Sequence, residues 1–125
     1  MCKNTNNSQE NTKNGRVVVI NPNSTKAVTE GIDAALYPLR FSDGPRFDCI
    51  TIEEGPKGIA TQRQVDDVVA PLCEAITKES NSADAFVIAC FSDPGLYSAR
   101  EATNKPVFGI GTSSFAQATL VGERF

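Results

Sequence analysis

Apolar positions along this chain alternate between short unbroken runs and recurrences at three- and four-residue spacing. Val17, Val18, Val19 and Ile20 form the first run, and a β-branched run this short predicts a strand buried on both faces. Val28, Ile32, Ala35, Leu36 and Leu39 then recur at helical spacing, with Pro38 marking the end. Phe47 to Ile52 reads as a second strand. After the turn Gly55-Pro56-Lys57-Gly58, Val65, Val68, Val69, Leu72 and Ile76 mark a second amphipathic helix. Pro71 inside that helix predicts a kink or a restart. Ala85 to Cys90 is the third strand, Pro94 to Ala102 a short helix, and Val107 to Ile110 the fourth strand. A last helix is expected over Ser113–Val121, with Gly122 as its C-cap.

Four βα units in succession predict an α/β fold: a flavodoxin-like, doubly wound parallel sheet with helices on both faces. Residues 1–15 lack any apolar residue after Cys2. They are expected to form a flexible tail before an α/β domain at 16–125, because such a segment buries too little surface to offset its ordering entropy. The chain closes at Phe125, where a further strand would be expected, and so reads as cut.

The 125 residues suffice for one domain with a core. A net charge of −3 and the lack of a basic stripe argue against a nucleic-acid module. No apolar run approaches the ~20 residues of a membrane-spanning helix. Residues 1–15 hold no apolar stretch and are not expected to act as a secretory leader, so a cytoplasmic location with reduced thiols is expected. Cys2, Cys49, Cys73 and Cys90 show no metal-ligand spacing, and no metal site is expected. The complete absence of histidine narrows the chemistry further. Ser-His-Asp catalysis is excluded, and proton transfer near neutral pH falls to cysteine or to a shifted carboxylate, lysine or tyrosine.

In a doubly wound sheet, ligands bind beyond the carboxyl ends of the strands, where the strand order reverses. For the order 2-1-3-4 this point lies between the loops 21–24 and 90–95, with 109–113 beside them. Cys90 is expected to end a strand, with Ser92 or Asp93 capping the next helix and Pro94 in its first turn. A thiol beside a helix N-terminus is favoured as thiolate, while the nearby Asp93 opposes this. The plainer alternative is a buried structural thiol. Cys49 and Cys73 read as core residues. Asn21, Asn23, Ser24 and Thr25 suit a carboxylate or imide oxygen, or simply form a turn and a cap. Gly109-Ile110-Gly111-Thr112-Ser113-Ser114 is an incomplete dinucleotide fingerprint, with Ser114 at the third glycine position. It supports a nucleotide-binding reading only in part, and a strand-to-helix turn explains it as well.

At these residues the chain resembles the Asp/Glu/hydantoin racemase superfamily, in its hydantoin and allantoin racemase branch. The resemblance is carried by VVVINPNST at 17–25, EEGPKGI at 53–59, ADAFVIACFSDPGLYSARE at 83–101 and KPVFGIGTSSFAQATLVGERF at 105–125. It implies one half of a two-domain, pseudo-symmetric enzyme that uses no cofactor. Two cysteines would face each other across the chiral carbon of an amino-acid derivative such as a hydantoin or allantoin. Cys90 matches the first of these. Asn21, Ser24, Pro56, Phe91, Ser92, Asp93 and Thr112 match substrate-binding positions. No segment matches the region of the second cysteine. The alternative is therefore a non-catalytic or truncated family member that only binds a small carboxylate or imide. Apolar surface left open between halves would also make the isolated chain associate or leave it marginally stable.

Overall fold

The computed structural model describes residues 14–124. Most of the expected tail, residues 1–13, lies outside them. Asn14 and Gly15, assigned to that tail, are described. The Asn14 side-chain amide donates to the Ser42 carbonyl at 3.0 Å, and the Gly15 carbonyl accepts from Arg46 N at 2.8 Å.

Four parallel strands form one sheet in the order β2-β1-β3-β4: β1 is Arg16–Asn21, β2 Arg46–Thr51, β3 Ala85–Ile88 and β4 Val107–Gly109. This is the expected order. The two most apolar runs, β1 and β3, take the central places, and Ile20 pairs with Ile50 on one side and Ile88 on the other. Five helices connect and follow the strands: α1 Lys26–Ala35, α2 Gln62–Asp67, α3 Val69–Glu79, α4 Leu96–Glu101 and α5 Ile110–Val121.

The period of two along each strand divides the sheet into unequal faces. Val18, Ile20, Phe86 and Ile88 point to one face and pack with Val68, Leu72, Ile76, Leu96 and Ala99 from the helices. Burying each larger side chain here contributes about 1.5–3 kcal/mol. Leu72→Ala would cost about 2–5 kcal/mol, because a cavity would remain. The other face carries Val19, Cys49, Asn21 and Thr51, covered by α1, which contributes no fully buried residue. Thr29 of α1 meets Thr51 of β2, hydroxyl to hydroxyl, at 2.6 Å.

Several local expectations change. The long helix expected around Val65–Ile76 is two helices, joined at Val68. Pro71 thus falls in the first turn of α3, where a missing N–H breaks no helical hydrogen bond. The restart was one of the two outcomes expected of this proline. The first helix ends at Ala35, and Pro38 lies in a separate 3₁₀ turn, Tyr37–Leu39. β3 ends at Ile88, so Cys90 sits in the loop beyond the strand. The last helix begins at Ile110 instead of Ser113, which puts Thr112 in its first turn.

At the opposite end of the strands, Arg16 makes a charged clamp. Its guanidinium donates to Asp48 at 2.5 Å, to Glu79 at 2.8 Å and to the Ser82 hydroxyl at 2.7 Å. The Asp48 carboxyl is held below its ordinary range, first by the Arg16 hydrogen bond.

Candidate functional site

Three loops leave the carboxyl ends of adjacent strands on the same edge of the sheet. Backbone pairing carries this proximity past the strands: Ile52 N donates to the Asn21 carbonyl at 3.0 Å and Ala89 N to the Ile20 carbonyl at 2.8 Å. Cys90, the next residue, is half-buried. Its Sγ lies 3.3 Å from the Ser92 Oγ. The sulfur is therefore not sealed into the core.

The loop after Cys90 is a tight turn. Asp93 N donates to the Cys90 carbonyl at 2.9 Å, and Asp93 and Gly95 adopt φ of 45° and 67°. The expected capping of the following helix by Ser92 or Asp93 is not found. Gly95 is the N-cap of α4, with no side-chain capping bond, and Pro94 lies before the helix instead of in its first turn. The Asp93 carboxylate turns instead to α5, where it accepts from Gly111 N at 2.9 Å, Thr112 N at 2.6 Å and the Thr112 hydroxyl at 2.6 Å. Position 93 favours Asp or Asn at positive φ because a short polar side chain tolerates the left-handed region.

Two glycines make room for this contact. A Cβ on Gly109 would strike the Asp93 carboxyl group, and one on Gly111 would strike the Phe91 carbonyl oxygen. Phe91 itself is exposed, and its ring meets Phe115 edge-on with centroids 5.6 Å apart. The glycine pair that half-suggested a nucleotide fingerprint thus accommodates the neighbouring loop. The first amides of α5 are occupied.

The asparagine-rich loop is held from within. Asn21 is 1% exposed. Its Nδ2 donates to Asn23 Oδ1 at 3.0 Å, to Thr29 Oγ1 at 3.0 Å and, at 3.3 Å, to the Thr25 carbonyl. Its Oδ1 accepts from Asn23 N at 3.2 Å. The Asn23 Oδ1 in turn accepts from Thr25 N at 2.9 Å. These bonds shape the turn, and they consume the Asn21 amide.

Ser24 and Pro56, both half-buried, are adjacent: Ser24 N donates to the Pro56 carbonyl at 2.9 Å. Thr25, the N-cap of α1, donates its hydroxyl to the Lys57 carbonyl at 2.7 Å instead of capping its own helix. Gly55 permits the close approach of the two loops, since a Cβ there would lie 2.5 Å from the Pro22 carbonyl oxygen. Loop 53–59 is thereby strapped against the start of α1.

The other described thiols are in different settings. Cys49, half-buried instead of fully in the core, shares a recess with Asp33, and burial first and Asp33 second push its pKa up to about 11. Cys73 on α3 is also half-buried, and its pKa is raised by burial and then by Glu101. Neither borders the Cys90 loop through any hydrogen bond. Among the described residues, no group of three or more potential metal-ligating side chains is brought together. No described helix is long and apolar enough to cross a membrane.

A recess of about 410 Å³ lies between the β2 edge and α3, lined by Thr51, Glu53, Glu54, Glu74 and Lys78 among others. A second, of about 300 Å³, lies over Cys49, Thr29 and Asp33. Cys90 lines neither. Beside it stand the Ser92 hydroxyl and the Phe91–Phe115 pair, and the loop that opens α1 leaves the neighbouring strand β1.

Comparison with known proteins agrees with the fold. A family model described as Asp/Glu/Hydantoin racemase matches residues 17–125. The chain is 40% identical to a hydantoin racemase of Pseudomonas sp. (strain NS671) over 111 residues, covering 88% of this chain and 44% of the relative. It is 36% identical to a hydantoin racemase of Paenarthrobacter aurescens over 114 residues, covering 88% and 47%. Among solved structures, an allantoin racemase from Klebsiella pneumoniae superposes with a TM-score of 0.78 at 33% identity, over 85% of this chain and 43% of that one. The chain thus spans somewhat under half the length of these relatives.

Proposed function

Because this chain belongs to the Asp/Glu/hydantoin racemase family, we propose that it carries one proton-transferring wall of a racemase site for a hydantoin- or allantoin-like ring. The single observation that carries the reading is the setting of Cys90. It is a half-buried thiol at the carboxyl end of a central strand, beside a hydroxyl, where the strand order reverses.

The chemistry follows from acidity. A hydrogen on a carbon next to a carbonyl becomes removable when the developing negative charge on oxygen is stabilised. In this reading the Cys90 thiolate takes that proton and is left as the thiol, while the electron pair moves onto the carbonyl oxygen. Fixed N–H donors are effective stabilisers of such an oxygen. The α5 amides are engaged by Asp93, so the start of α1, which its own N-cap residue does not cap, is the donor set assigned here. Ser24, Pro56, Phe91, Ser92 and Thr112 form the contact surface, with Asn21 and Asp93 shaping it from beneath. The transfer needs only an acid–base group on each face, and no cofactor enters.

Racemisation requires that a second group deliver a proton to the opposite face. Neither Cys49 nor Cys73 is offered for that role, so a complete site draws its second group from outside the described residues. The wall around Cys90 also needs a cover, since a closed site strengthens electrostatic interactions and excludes water. We read the protein as cytoplasmic, with its thiols reduced, binding a small amino-acid derivative and neither nucleic acid nor membrane, and associating through exposed apolar surface.

The test is solvent exchange. A chiral 5-substituted hydantoin is incubated in heavy water with the protein and with Cys90→Ala. Deuterium enters at the ring carbon with the parent chain and falls to the uncatalysed rate with the variant. Equal incorporation by both overturns the assignment. A second reading, binding without turnover, is favoured by the setting of Cys49 and Cys73 away from Cys90. It expects a ligand-induced rise in melting temperature with allantoin or a hydantoin and no exchange with either protein.

A further inference from the structure

We infer that Asp93 is a positioning residue: by gripping the start of α5, it holds the Cys90 thiol and Ser92 hydroxyl in hydrogen-bonding register. The inference deepens the reading of Cys90 as the reactive group and rests on it for its catalytic meaning. Its geometry stands independently.

A helix normally takes its N-terminal cap from the residue at its own start. Here the N-cap of α5 is Gly109, which makes no side-chain bond. The cap comes from 16 residues upstream, as the Asp93 carboxylate accepts from both Gly111 N and Thr112 N and from the Thr112 hydroxyl. Charge-assisted bonds of this kind are the stronger ones, and a carboxylate suits the positive end of a twelve-residue helix.

The grip fixes the loop because it selects an unfavourable backbone. Asp93 is the one described non-glycine residue with positive φ. Left-handed backbone at a non-glycine residue persists where its surroundings over-determine it. Here they do. The Asp93 amide closes a turn onto the Cys90 carbonyl at 2.9 Å, the Asp93 carbonyl accepts from Leu96 N at 3.2 Å, and Pro94 is fully buried. Ser92 lies inside this turn, which the Asp93 amide closes onto the Cys90 carbonyl, so the approach of its hydroxyl to Cys90 depends on Asp93 staying in place.

The cleared space at positions 109 and 111 is the counterpart. The two missing side chains admit the Asp93 carboxyl and the Phe91 carbonyl respectively. The edge contact of Phe91 with Phe115 adds a second tie, between the same loop and the second turn of α5. The loop bearing the thiol and the helix after the next strand are thereby one mechanical unit.

A double-mutant cycle tests this, read as the rate of Cys90 alkylation by iodoacetamide at pH 7.5, site-resolved by peptide mass mapping. A hydroxyl that donates to sulfur favours the thiolate. Ser92→Ala is therefore expected to slow Cys90 alkylation about threefold in the parent chain, and to leave it unchanged in an Asp93→Asn background, where the pair is no longer held. Asn tolerates the left-handed backbone but presents an NH₂ group in place of one acceptor oxygen. Amide hydrogen exchange at Gly111 and Thr112 should accelerate at least tenfold in Asp93→Asn. Should that variant fold poorly, Thr112→Val removes one donor of the three and should give the same loss of coupling in weaker form. An equal effect of Ser92→Ala in both backgrounds overturns the inference, as does unchanged exchange at Gly111 and Thr112, or no effect of Ser92→Ala in the parent. None of these readouts uses a substrate, so failure of the racemase reading in the deuterium experiment is distinguishable from failure here.

Discussion

The thiol of Cys49 shares a recess with the carboxylate of Asp33, on the side of the sheet that α1 covers. Burial and this carboxylate raise its pKa from the ordinary 9.0 to about 11. At a given pH the thiolate fraction is then about a hundredfold below that of an ordinary cysteine, and the thiolate is the nucleophile. Native protein treated briefly with iodoacetamide at pH 8 should therefore label Cys90 well before Cys49. Labelling of Cys49 at the rate it shows in urea would contradict the geometry. In Asp33→Asn, the carboxylate charge is lost and Cys49 should label faster.

Arg16 supplies a pH-dependent part of stability through Asp48. A carboxyl whose folded pKa lies below its unfolded value of ~3.9 contributes stability that is present above that value. The contribution is lost as pH falls through the lower folded value. Arg16→Met should cost about 1–3 kcal/mol near neutral pH, since it removes charge-assisted hydrogen bonds that are only partly exposed. The difference in melting temperature between parent and variant should be several degrees at pH 7 and should narrow below pH ~4. A gap that stays constant from pH 7 to pH 3 would rule out the Asp48 contribution.

The start of α2 is fastened by a reciprocal cap. Gln64 N donates to the Thr61 hydroxyl at 3.3 Å, and the Gln64 side-chain oxygen accepts from Thr61 N at 3.0 Å. Thr61→Ala should cost about 1 kcal/mol in urea unfolding, with an unchanged m-value. Thr61→Ser should recover most of it. No difference between the two substitutions would mean that the cap is not what anchors this helix.

α5 has no charged residue in its twelve positions. It leaves Leu120 and Val121 79% and 77% exposed, and Phe115 on the same helix and Phe108 on β4 are exposed as well. A helix without a polar face ordinarily lies against something. Sedimentation of the isolated chain should therefore show concentration-dependent association, reduced by Leu120→Lys together with Val121→Lys. A monodisperse monomer at high micromolar concentration would contradict this.

Much of the fold was legible because its signals are local. The continuous run at 17–20 and the run from Ala85 show two central strands, and helical spacing from Val65 to Ile76 shows the buried face packed on them. The loops at the switch point were legible for the same reason. What escaped was non-local. Nothing near Asp93 shows that its partner is a helix start 18 residues on, so it read as a cap for the helix immediately following. The early start of α5 escaped by the same route, because Gly-Ile-Gly is a poor helix opening until an outside carboxylate caps it. Asn21 showed its turn-forming type correctly. Its complete internal satisfaction depends on Thr29, eight residues away.

Positions 93 and 109 claim one small volume between them. A methyl group at 109 and the carboxyl group of Asp93 in its present position cannot share that space, so a change at one site bears on the other. Gly109→Ala alone would evict the acid and free the loop. Shortening residue 93 to glycine at the same time would restore the packing while leaving the helix start bare. Sequence drift at this corner of the molecule is thus channelled along a single diagonal, and a chain found with bulk at 109 would have to hold its Cys90 loop by some other means.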